Sequence, residues 1–250
     1  NGTIGDSACV IAVPMLSRIA NFDDLDPLGM EPGVELIFVR PGQPIPANAD
    51  VVILPGTKST IGDLAFLRAQ GWDIDIKAHV RRGRHVLGLC GGYELLGKTI
   101  DDPDGLDGAA GSAEGLGLLD IVTTMQGDKS TTLTHGTHCA SGTPIEGYEI
   151  HIGRSDGPDC ARALVAIGER FDGARSPDGR VQGTYLHGLF NNDPFRCAWL
   201  QSLGVTSSLA YEQRVEAALD TLADHLEAHL DIAALLEIAR RRQANNASAA

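Results

Sequence analysis

Short aliphatic runs, each bounded by Gly, Pro or charged residues, punctuate the first ninety residues: Cys9–Val13, Val34–Val39, Val51–Leu54 and His85–Leu89. They are rich in β-branched side chains and lack polar alternation, which predicts parallel strands covered on both faces. The spacing changes to a helical one over Ser59–Gln70, where Ile61, Leu64, Ala65 and Leu67 share a side after a Pro55-Gly56 turn, and over Asp73–Arg82, closed by Gly83. Alternation of strand and helix at these intervals predicts an α/β sheet. Asp101–Gly117 reads as one long Gly- and Asp-rich loop. Further strands are expected at Leu118–Thr123, Ser130–Thr137, Tyr148–Ile152, Leu164–Ile167 and Val181–Leu186. Near the end, Val215, Ala218, Leu219, Leu222, Leu226 and Leu230 form one stripe opposite Glu216, Asp220, Asp224 and Glu227, the pattern of a helix packed on the core. The small polar residues that follow predict a disordered tail over 241–250.

Composition narrows the function classes. The chain has 250 residues, 43% of them hydrophobic, enough for a sizeable core. Its formal net charge of −13 disfavours non-specific contact with nucleic acid or an anionic membrane. No apolar run is long enough for a membrane span, and no secretory leader is visible, so a cytoplasmic location is expected. Five cysteines, at 9, 90, 139, 160 and 197, form no C-x-x-C pair, which argues against a zinc site or a disulfide framework. A start at Asn1 without Met predicts a piece of a longer protein.

One cysteine has a different setting. Gly88-Leu89-Cys90-Gly91-Gly92 follows an apolar strand and precedes a helix-like stretch, the G-x-C-x-G form of a nucleophile elbow. A sharp turn of this kind leaves no room for flanking side chains, lifts the sulfur above the carboxyl edge of the sheet, and aims the next amides at it. The Gly91 amide is positioned to donate to an oxyanion, and the Pro55-Gly56 turn offers Gly56 as the second donor. A thiol nucleophile needs a base. His187, at the end of the run Gly183–Leu186 and before Gly188, is placed at the same sheet edge. Glu149 and His151 share one face of the alternating stretch Gly147–Arg154, a polar stripe that is either a solvated edge or a wall for substrate. His135, His138 and Cys139 do not fall on one strand face, and His225 and His229 lack a third ligand, so no metal is expected. Lys58-Ser59 lacks the leading glycine of a phosphate loop.

Taken in order, SRIANFDDLDPL, LPGTKSTIGDLAFLRAQGWD, GLCGGYELLGKTIDDPDG, GLGLLD, GYEIHIGRSDGP and GTYLHGLF resemble the C-terminal glutaminase domain of the cobyric acid synthase family, over roughly 10–196. The family belongs to the class I, triad-type glutamine amidotransferases. The resemblance implies a flavodoxin-like class I amidotransferase sheet with helices on both faces, filling residues 1–240. It implies Cys90 as nucleophile, His187 as base, and Gly56 and Gly91 as oxyanion donors. It implies hydrolysis of glutamine to glutamate and ammonia. The ammonia would supply an N-terminal ATP- and Mg-dependent synthetase domain, outside this sequence, that amidates carboxylates of adenosylcobyrinic diamide in cobalamin biosynthesis. No cofactor is implied for this chain itself.

The resemblance also carries a departure. Most triad amidotransferases have Glu two residues after the histidine, and here that position is Leu189, as in the cobyric acid synthase branch. The partner of the second imidazole nitrogen is therefore expected to be a backbone carbonyl, a water or a carboxylate from elsewhere, with Glu149 as the candidate. Two alternatives remain open from sequence. One is the glutaminase of a related amidotransferase, cobyrinic a,c-diamide synthase or the lipid II amidotransferase, against which Lys129 and the loop Asp102–Gly105 count. The other is a non-catalytic docking domain of the same fold.

Overall fold

A computed structural model describes residues 8–247, with only the backbone described at 128–130 and 241–247. The chain divides into two compact units, residues 1–209 and 210–250, where the sequence predicts one domain to residue 240.

In the first unit the predicted α/β half is β1 (Cys9–Pro14), α1 (Asp26–Gly29), β2 (Val34–Val39), β3 (Val51–Leu54), α2 (Thr60–Ala69), α3 (Trp72–Arg81), β4 (His85–Leu89) and α4 (Gly91–Leu95). The strands pair in parallel in the order β4-β3-β1-β2. Successive side chains of a strand point to opposite faces, and the core divides accordingly. Val10, Ala12, Val52, Leu54 and Val86 pack with Leu64, Leu67, Trp72 and Ile76 of α2 and α3. Cys9, Ile11, Val13, Val51, Ile53, Leu87 and Leu89 pack on the other face with Leu25 and Leu28. This two-sided burial is why the runs show no polar alternation.

The middle of the chain builds a second sheet that the sequence pattern does not announce. It contains β5 (Thr99–Asp102), β6 (Gly111–Glu114), β7 (Val122–His138), β8 (Pro144–Asp156), β9 (Val165–Ile167) and β10 (Arg170–Asp172). The expected loop Asp101–Gly117 is thus partly a hairpin. Asp102 makes its turn, its carboxylate accepting the amides of Leu106 at 2.8 Å and Asp107 at 2.9 Å. β6 is a polar edge strand and leaves no hydrophobic trace. The expected strand Ser130–Thr137 falls within the single long β7, whose register with β8 shifts between Met125 and Ser130, whereas of the expected strand Leu118–Thr123 only Val122 and Thr123 are strand.

β11 (Ala174–Arg175) and β12 (Val181–Thr184) then return to the first sheet, completing the order β11-β12-β4-β3-β1-β2. The next residues, β13 (Leu186–His187), pair with β8 of the second sheet. One short segment therefore ties both sheets together just before His187. α5 (Asp193–Ser202) closes the face occupied by Leu25 and Leu28, through Phe195, Trp199 and Leu200. The second unit contains α6 (Tyr211–His229) and α7 (Ile232–Ala247). α6 has no buried residue, and Leu219, Leu222, Leu226 and Leu230 are exposed, so the predicted stripe is helical but not part of the core. Helix extends to Ala247, beyond residue 241 where the disordered tail is expected to begin.

Candidate active site

Cys90 has φ 50° and ψ −114°, a conformation that side-chain-bearing residues avoid and that active sites accumulate. The surrounding glycines explain how the turn closes. A methyl group on Gly88 would stand 2.5 Å from the Gly92 carbonyl oxygen and 2.6 Å from Tyr93 Cα, and one on Gly92 would collide with the Leu54 carbonyl of β3. The Cys90 amide donates to Thr184 O at 2.9 Å, tying the elbow to β12, and the buried sulfur lies 3.7 Å from Ile150 O of β8. Gly92→Ala should therefore lower stability by about 1–3 kcal/mol, the usual cost of forcing volume into a packed site. Denaturant melts of the two proteins should show an unchanged slope and a lower midpoint for the variant.

His187 is 1% exposed, and its Nδ1 lies 2.7 Å from Asp24 Oδ2. The other Asp24 oxygen accepts the Gly188 amide at 2.7 Å. A carboxylate only accepts, so Nδ1 carries the ring proton and Nε2 is left basic. Among the described residues that buried Nε2 has no hydrogen-bond partner. Tyr148 stacks on the imidazole with centroids 5.1 Å apart, and its hydroxyl is 2.6 Å from Asn21 Nδ2. Asn21, at φ 53°, is the other non-glycine residue with positive φ among the described residues. The stretch carrying Asn21 and Asp24 is held in place by Ala20 N to Gly56 O at 2.8 Å and Lys58 N to Arg18 O at 3.0 Å. Buried Asp63 accepts from Ser17, Thr57 and the Arg18 amide.

This geometry brings together four of the six residues expected at the site, and corrects a fifth. A methyl on Gly56 would lie 3.2 Å from His187 Cε1 and 3.8 Å from Cys90 Cβ, so nucleophile, base and turn meet there. Gly91 opens α4 beside Thr57. A cavity of about 390 Å³ holds Cys90, Gly91 and also His151, the sixth residue. Glu149 is not the partner of His187. Its carboxylate is taken by Arg170 and by Thr134 Oγ1 at 3.0 Å, and it faces a neighbouring cavity instead. Asp24 holds the position that sequence reasoning gave to Glu149. Leu189 is buried with Phe190 and Leu186 against the sheet, so a carboxylate at that position would face apolar packing. Glu94, one turn after Cys90, also lines the cavity. Burial pushes its carboxyl up to about 7, opposed by the Thr60 hydroxyl at 2.7 Å. The histidines weighed as metal ligands have other contacts: His135 lies 3.5 Å from Glu146, His138 lies 2.7 Å from Ser141 Oγ, and His225 stacks on His229.

Comparison with known proteins places this geometry. The CobB/CobQ-like glutamine amidotransferase domain pattern matches residues 10–195. A cobyric acid synthase of Cereibacter sphaeroides is 63% identical over 237 residues, covering 94% of this chain and 49% of that protein. One from Paracoccus denitrificans is 62% identical over 236 residues, with the same coverages. The chain spans about half the length of the curated relatives it matches. Among solved structures, PurLQS from Thermotoga maritima superposes with a TM-score of 0.56 at 18% identity, over 77% of this chain and 90% of that one. A glutamine amidotransferase gives 0.54 at 16% identity, over 78% of this chain and 99% of that one, a likeness of fold. With the elbow at Cys90 inside the matched span, the chain belongs to the CobB/CobQ-like glutamine amidotransferase domain family.

Proposed function

We propose that this chain is the glutaminase half of a cobyric acid synthase acting in the cytoplasm. The observation that carries the reading is the strained Cys90 elbow beside an imidazole whose Nδ1 is held by Asp24 and whose Nε2 is left open. Cys90 loses its proton to His187 Nε2 and attacks the glutamine side-chain amide carbon. The amides of Gly56 and Gly91 receive the charge that develops on the carbonyl oxygen. His187 returns the proton to the leaving nitrogen, which departs as ammonia, and then activates the water that frees glutamate. Asp24 fixes the tautomer and steadies the imidazolium. The ammonia feeds a synthetase half that uses ATP and Mg to amidate carboxylates of adenosylcobyrinic diamide.

Relatives near 60% identity that carry the cobyric acid synthase name favour this branch over the related glutaminases. The intact Cys90, His187 and Asp24 disfavour a docking domain without chemistry. The test is release of glutamate from glutamine, measured with the purified chain and with the full-length protein supplied with ATP and corrinoid substrate. Glutamate release in either preparation is the expected result. Its absence from a folded full-length protein that still amidates with added ammonia would refute the glutaminase reading.

A further inference from the structure

α6 and its C-terminal cap carry Leu219, Leu222, Leu226 and Leu230 on one side, each between 39% and 52% exposed, and α7 leaves Leu235, Leu236 and Ile238 exposed as well. A contiguous apolar stripe of this kind marks a surface that another surface covers. Helices of this length take most of their stability from packing an apolar face, and α6 buries none of its own.

The path of the chain points to the occupant. β1 starts at Cys9, whose amide donates to Gly33 O at 2.9 Å. The segment that leads from α5 to α6 passes the same glycine: a methyl on Gly33 would stand 2.8 Å from Val205 Cγ1. Ser207 Oγ donates to Glu31 at 2.6 Å, and the Leu209 carbonyl accepts from Arg196 at 2.6 Å. The peptide entering β1 and the peptide leaving for α6 are therefore neighbours at the amino edge of the parallel sheet, opposite the edge where Cys90 follows β4. The chain spans about half the length of its curated relatives, and the synthetase half of the proposed function joins ahead of β1. That half is tethered where α6 departs, which makes its contact with the stripe intramolecular and raises its effective concentration. A second copy of this chain fits less well. Antiparallel pairing of α6 with itself would set Glu216 and Glu227 of one copy against those of the other, and two chains of net charge −13 would meet.

We propose that the α6 stripe is a clasp that docks into an apolar groove of the synthetase half, rimmed by basic side chains that face Glu216, Asp220 and Glu227. The identity of that partner rests on the proposed function above, while the docking is read without turnover. The test is amide hydrogen exchange over residues 211–230, in this chain and in the full-length protein. Exchange in the full-length protein should be at least about tenfold slower than in this chain at every protein concentration, and Leu222→Glu with Leu226→Glu should return it to the rate of this chain. Neither leucine lines the Cys90 cavity, so glutamate release by the full-length variant should stay within about twofold of the parent and report that it folds. Equal exchange in this chain and the full-length parent would overturn the proposal. So would protection that grows with the concentration of this chain alongside a doubled mass, which would give the stripe to a second copy. The comparison of the two parents needs no substitution, so it decides the matter even if the double variant fails to fold. Absence of glutamate release from the full-length parent would count against the glutaminase reading and leave the exchange result standing.

Discussion

Replacing Cys90 by Ser or Ala should reduce glutamine hydrolysis on the order of 10⁴-fold or more, as removal of a covalent nucleophile does in enzymes with a comparable constellation. The structure gives a specific reason for so steep a loss. The strain at Cys90 is maintained by Gly88, Gly92 and the bond to Thr184, and it serves to present one sulfur atom. The other four cysteines cannot substitute. Cys9 is buried in β1 on the face covered by Leu25 and Leu28, where burial and the nearby Asp50 charge push its thiol up to about 11. Cys139, Cys160 and Cys197 lie outside the cavity that holds Cys90. In the full-length protein, Cys90→Ser should abolish glutamine-driven amidation while ammonia-driven amidation continues. Loss of both in a folded variant would refute a separable glutaminase step.

The second large effect is expected at Asp24, a residue that the motif-based reading passes over. Asp24→Asn keeps the shape but lets an amide N–H face Nδ1, favouring the tautomer with the proton on Nε2, where the base is needed. The rate should fall on the order of 10⁴-fold, the loss seen when the equivalent acid of a serine protease triad is made an amide. His187→Ala should cost at least ~10²–10⁴-fold through lost base catalysis. Combining Asp24→Asn with His187→Ala should cost little more than His187→Ala alone, because the acid acts through the imidazole. Glu149→Gln, which loosens the pair with Arg170, should alter the rate far less. Near-parent glutamine hydrolysis by Asp24→Asn, with a large loss in Glu149→Gln, would reverse the assignment. Steady-state glutamate production over a pH series distinguishes the two.

How much of this was legible beforehand depends on how local each signal is. The four central strands and the two helices α2 and α3 are visible because each is a self-contained run between Gly, Pro or charged residues, and their ends agree to within a residue. Cys90 is visible because its turn requires glycine on both sides. His187 is visible because it ends a strand. The second sheet is not, because its strands are half exposed and Thr-rich, and β6 contains no large hydrophobic residue. Asp24 is hidden for a different reason. It stands in the run Phe22–Asp26 among three aspartates that look alike in sequence, and only the tertiary fold makes Asp24 the buried one. Glu149 stands out in sequence because it shares a polar face with His151 on the alternating stretch that becomes β8. Register does place Tyr148 opposite His187, but it places Glu149 opposite Leu186, with its side chain on the other face.

The separation of Asp24 from His187, 163 positions along the chain, also governs when the site exists during synthesis. The acid leaves the ribosome early, the nucleophile follows, and the base arrives only after both sheets have their strands. The contact between acid and base spans most of the folding unit, so its closure has a high loop entropy cost and comes late. A nascent chain interrupted before β12 therefore carries the thiol with neither the Thr184 carbonyl that ties its elbow nor a base to activate it. Glutamine in the cell is exposed to a competent thiol only once the second sheet has been laid down and β13 has joined it.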